Sequence, residues 1–152
     1  MVHGPRVHTL PLHEQRGAMT KVTKPDLEAA AILPDGRLVV VGSGSAPSRR
    51  SVVLLDPTTG AFEVRDASRL FALVTEALGH DPNLEALLWV EDHLRLFHRG
   101  SRDQPNTVVD LVLDVADPAA ARVLGVEKCS LGAVPGAAGL VALTFTDADL
   151  DG

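Results

Sequence analysis

One hairpin pattern occurs twice in this chain. Asp26-Leu27-Glu28-Ala29 opens an apolar run to Leu33, Pro34-Asp35-Gly36 makes a turn, and Arg37–Val41 returns. Asn83-Leu84-Glu85-Ala86 opens a second run to Val90, an Asp92-centred turn follows, and His93–Phe97 returns. A pattern that recurs at roughly 50 residues points to stacked sheet units rather than to one continuous sheet. The two stretches are expected to be the inner hairpins of two successive β-propeller blades.

The flanking segments extend each hairpin. After Val41, Gly42-Ser43-Gly44-Ser45-Ala46-Pro47-Ser48 reads as a loop of small residues, and Ser51–Asp56 as a third strand. Asp56-Pro57-Thr58-Thr59-Gly60 is a turn with Pro and Gly where a turn uses them, and Ala61–Arg65 is a fourth strand. Four antiparallel strands in that span make one blade. The run Leu27–Leu33 is nearly continuous in apolar residues and predicts a strand buried on both faces. Leu70, Phe71, Val74 and Leu78 then fall at helical spacing. Ser68 is the expected N-cap and Gly79 the stop, giving a short helix near residues 69–79 over a blade junction.

In the second unit His98–Asn106 is the loop, Thr107–Val115 the third strand and Ala121–Val126 the outer one. Residues 132–139 are rich in Gly, Ala and Pro and read as a linker, and Leu140–Phe145 as the beginning of a third inner strand. The expected fold is therefore all-β: a partial β-propeller of two to three four-stranded antiparallel blades with one short helix. Its divisions are an N-terminal loop or remnant blade (1–24), blade unit 1 (25–68), a helical connector (69–82), blade unit 2 (83–131), and a linker with the start of a third blade (132–152). Such an array leaves sheet edges open, so self-association through those edges is expected, as is a fragment of a longer propeller.

Composition narrows the function classes. A chain of 152 residues with 45% hydrophobic and 22% charged residues can bury a core. With four Phe, one Trp and no Tyr, that core must be aliphatic. The net charge of −6 argues against a nucleic-acid partner, which needs a basic stripe to displace counterions. No apolar run reaches membrane-spanning length, and residues 1–19 lack an apolar signal core, so a cytoplasmic protein without a membrane partner is expected. Cys129, the single cysteine, can form no internal disulfide.

The repeat aligns Glu28 with Glu85, and Phe145-Thr146-Asp147-Ala148 offers Asp147 as a third member. Acids at one position of successive inner strands would converge at a channel mouth and repel unless neutralised. Hard oxygen ligands of this kind suit Ca²⁺, or Mg²⁺ with waters, so Glu28, Glu85 and Asp147 are the candidate metal ligands and Ca²⁺ the candidate cofactor. The alternative is structural: the acids pair with Arg49 or Arg99, or accept backbone hydrogen bonds. Asp147-x-Asp149-x-Asp151-Gly152 also matches the opening of a calcium loop, a pattern an acidic tail makes by chance. Arg49 and Arg50 follow the first loop, Arg99 and Arg102 lie in the second, and the four could hold an anion, or else form ion pairs between units. His98, beside Arg99, is the candidate for acid–base work, against a structural role. His3, His8 and His13, five residues apart, fit neither helical nor strand metal spacing. Gly42-Ser43-Gly44-Ser45 lacks the Lys-Ser/Thr ending of a phosphate loop.

In Lys24-Pro25-Asp26-Leu27-Glu28-Ala29, Gly42-Ser43-Gly44-Ser45 with Arg49 or Arg50, Asn83-Leu84-Glu85-Ala86, Phe97-x-Arg99-Gly100 and Phe145-Thr146-Asp147-Ala148, the chain resembles uncharacterised bacterial β-propeller proteins. These are loosely akin to six-bladed phytase-like and lactonase-like propellers. The resemblance implies a propeller and no established activity. Three functions follow as expectations: a binding or scaffold module for a small-molecule or protein ligand, a Ca²⁺-dependent hydrolase of the lactonase or phosphoesterase kind, or a non-functional truncated remnant. Whether the chain is an enzyme stays open at this point.

Overall fold

The computed structural model describes residues 25–101, 103–136 and 139–146. The fold is all-β and propeller-like: two four-stranded antiparallel sheets, a small two-stranded sheet and one α-helix, with no closed barrel among the described residues. The first sheet holds β1 (Leu27–Ile32), β2 (Leu38–Gly42), β3 (Ser51–Leu55) and β4 (Phe62–Asp66) in that spatial order. The second repeats the order with β5 (Leu84–Val90), β6 (His93–His98), β7 (Asn106–Val112) and β8 (Arg122–Cys129). The innermost strands β1 and β5 lie beside each other. The last sheet is a hairpin of β9 (Ala133–Gly136) and β10 (Gly139–Ala142), so the stretch read as a linker carries a strand.

One face of each four-stranded sheet packs into a common aliphatic core, while Val53, Ala86 and Val108 are buried on the opposite faces. Ala29, Ala31, Leu33, Val39, Val41, Val52 and Leu54 come from the first sheet, and Leu84, Leu87, Leu94, Leu96, Val109 and Leu111 from the second. β1 corrects one expectation. Its burial alternates, with Ala29 and Ala31 inside and Ile32 68% exposed, so the apolar run is not buried on both faces. Successive residues of a strand face opposite sides, and only one side of β1 meets the second unit.

The helix α1 (Ser68–Leu78) closes the core with Leu70, Phe71 and Val74 and packs on β7, β8 and the short turn Pro118–Ala120. Ser68 is not its N-cap. It is the first helical residue, and Asp66 supplies the missing acceptor: its Oδ1 takes the Ser68 N–H at 3.1 Å and the hydroxyl at 2.6 Å. Gly79 ends the helix as expected, with φ at +81° and its N–H donated to the Thr75 carbonyl.

The join between the units is a backbone device. Ser43 donates its N–H to the Asp26 carbonyl (3.1 Å) and accepts at its own carbonyl from Leu84 (2.9 Å), so one buried loop residue ties β1 to β5. In the second unit the Arg99 N–H donates to the Asn83 carbonyl at 2.9 Å, the counterpart of the Ser43–Asp26 bond.

Candidate functional site: the cleft between the inner strands

β1 and β5 each begin with a bulge. Leu27 faces Gly42 and Ala29 faces Val41, which leaves Glu28 as the extra residue. Leu84 faces His98 and Ala86 faces Phe97, which leaves Glu85 as the extra residue. A bulge bends the strand and re-aims the residue it inserts. Both carboxylates thereby line one cleft of about 680 Å³, together with Asp26, Ser45, Ala46, Arg49, Asn83 and Arg99.

The charges in this cleft are mostly paired. Arg49 Nη1 sits 2.7 Å from Asp26 Oδ2 with both side chains largely buried, and it also donates to Ser45 Oγ at 3.0 Å. Asp26 itself has φ at +44°, the left-handed region that short Asx side chains tolerate better than other residues. Arg99 Nη2 lies 2.8 Å from Glu85 Oε1, the atom that Asn83 Nδ2 also reaches at 3.2 Å. Burial raises the Glu85 pKa above the usual carboxylate range; Arg99 opposes the rise, and the charge of Glu28 adds to it. The two glutamates are therefore electrostatic neighbours. Glu28 is exposed, and its side chain makes no ion pair or hydrogen bond with another described residue.

The other sequence candidates disperse. Arg50 turns away to Asp81 at 3.0 Å and to the Gly44 carbonyl. Asp147, Arg102, the Asp147–Gly152 acidic pattern and His3, His8 and His13 lie outside the described residues. Among the described residues no three His, Cys, Asp or Glu side chains are grouped so as to hold a metal. His98 stands one hydrogen bond behind the cleft: it is 1% exposed, and its Nδ1 accepts the Asn83 N–H at 2.9 Å. Its pKa falls from 6.5 to about 4, through burial first and then the neighbouring His80, whose ring is 4.8 Å away.

Asp26, Asn83 and Ser45 belong to the cleft and were not among the sequence candidates. The signal for the first two was present, since an Asx residue stands two positions before the glutamate in both copies. Among the described residues no helix is long and apolar enough to cross a membrane. Neither the curated proteins nor the solved structures compared with the chain gave a match. Residues 3–152 match a family of unknown function (DUF6929), and the chain belongs to that family.

Proposed function

We propose that the chain is a binding module of propeller blades, related to the phytase-like and lactonase-like propellers, whose ligand sits in the cleft between β1 and β5. One observation carries the reading: the same bulge, made twice, turns Glu28 and Glu85 into a single concave polar site. Small-ligand sites are concave, hold a few convergent polar groups, and commonly measure about 300–1,000 Å³. The acidic net charge supports a small-molecule or protein ligand over a nucleic acid. The test is a panel of small charged and neutral fragments titrated into ¹⁵N-labelled protein. Saturable amide shifts confined to residues 26–28, 45–49, 83–85 and 99 are expected; shifts elsewhere, or none from any fragment, would sink the reading.

A second reading makes the cleft a Ca²⁺ site serving hydrolysis, with Glu28, Glu85 and Asp147 as ligands. The proximity of the Glu28 charge to Glu85 favours it, because a divalent ion would relieve that repulsion. Calorimetry with CaCl₂ tests it. Heat that saturates at one equivalent and disappears in E85Q supports the metal, and a flat titration rejects it.

A further inference from the structure

We propose that the ligand of the inter-strand cleft is a small zwitterion, its ammonium group held between Glu28 and Glu85 and its carboxylate on Arg99. This inference rests on the cleft being the binding site, and it names the chemistry of the occupant. It comes from counting which polar atoms are already used. Asp26 and Arg49 neutralise each other at 2.7 Å in a largely buried pair, so neither offers an incoming group a full charge. Glu85 Oε1 is taken by both Arg99 Nη2 and Asn83 Nδ2, which leaves Oε2 as its open acceptor. Glu28 lines the cleft, and its carboxylate has no ion pair among the described residues. Arg99 uses one nitrogen on Glu85, and its side chain is 41% exposed, so the remaining N–H groups of its fork stay available.

The cleft therefore presents a surplus carboxylate, a carboxylate with one oxygen open and a guanidinium with N–H groups open. An ammonium group has three N–H donors and no acceptor, which suits Glu28 together with Glu85 Oε2. A carboxylate matches the planar fork of arginine. A divalent cation is less well served. It would sit beside the positive charge of Arg99 and compete with two donors for Glu85 Oε1, while Ca²⁺ takes about six to eight oxygens. An anion alone would meet the repulsion of Glu28.

The experiment titrates four probes into the ¹⁵N-labelled protein: 6-aminohexanoate, hexylamine, hexanoate and CaCl₂. Saturable shifts at residues 28, 83, 85 and 99 are expected from 6-aminohexanoate, with either half-molecule binding about tenfold more weakly. E28Q and R99Q are each expected to weaken the zwitterion by about tenfold, and E63Q on the outer strand β4 to leave it unchanged. Spectra of the variants that match the wild type outside the cleft confirm that they fold. Hexylamine binding as tightly as 6-aminohexanoate, or R99Q binding normally, would overturn the zwitterion. Shifts at the cleft from CaCl₂ alone would overturn it too, and leave the cleft as the site. Silence from all four probes here, and from the wider fragment panel, would overturn both.

Discussion

Arg49 shows how one side chain can serve both the fold and the cleft. Its guanidinium pairs with Asp26, whose backbone is left-handed, and its main-chain carbonyl accepts from Gly44. Removing one partner of a buried ion pair strands the other charge, so R49A should cost about 3–5 kcal/mol in urea unfolding. The same carbonyl explains Gly42. A Cβ there would come within 2.1 Å of the Arg49 oxygen, a backbone atom that cannot swing aside. A Cβ on Gly79 would meet nothing within 4 Å and would carry only the cost of φ at +81°. G42A should therefore destabilise by more than the roughly 1 kcal/mol expected for G79A, and equal losses would contradict the geometry. Gly79 announced its role as a helix stop, but Gly42 did not, because a close backbone approach is a tertiary fact that no local pattern encodes.

His98 belongs to the same scale and gives a pH dependence with a definite sign. Its Nδ1 accepts the Asn83 N–H, so the neutral ring keeps its proton on Nε2, where it has no partner among the described residues. With a folded pKa of about 4 against 6.5, the unfolded chain binds the extra proton between those values. Stability from this group is thus complete above pH 6.5 and is lost as pH falls towards 4. Between pH 6.5 and 5, the wild type should lose about 1.5 kcal/mol more than H98N, read from urea midpoints. Parallel pH profiles would show that the ring is not held neutral. A residue ending a strand beside Arg99 invites an acid–base reading from sequence, and only burial shows that it works behind the cleft.

Elements were more legible than residues, for reasons of period and punctuation. Asp35-Gly36, Asp56-Pro57-Thr58-Thr59-Gly60 and Gly79 mark turns and a helix end by local chemistry, and each stands where its pattern placed it. The bulges were not legible. A bulge adds one residue without altering composition, and it shows only when two strands are set in register. The Ser68 cap failed for a related reason: Asp66, two residues earlier, offers a charged acceptor, so the helix begins one residue sooner. The helix itself is tested at Phe71, fully buried where α1 closes the shared core. F71A removes the largest buried ring there and should cost about 3–5 kcal/mol. A loss below about 1 kcal/mol would mean that α1 merely rests on the sheets.

For the whole molecule the question is whether two similar sheets behave as two folding units. Quasi-repeat proteins can lose cooperativity when each unit is stable by itself. Here the buried aliphatic residues of both four-stranded sheets and of α1 form one cluster, with Trp89 packed at its margin. The Ser43 backbone is bonded to both units, so opening one sheet exposes donors and core surface of the other. Unfolding either sheet therefore uncovers the apolar face that the other packs into the shared cluster. Urea unfolding followed by Trp89 fluorescence and by far-UV circular dichroism should give coincident midpoints. L87A, at the shared face of β5, should lower both together by an amount equivalent to about 2–5 kcal/mol. Separation of the two midpoints, in the wild type or in L87A, would show that the units fold independently and that the cleft between them is a docking seam rather than part of one core.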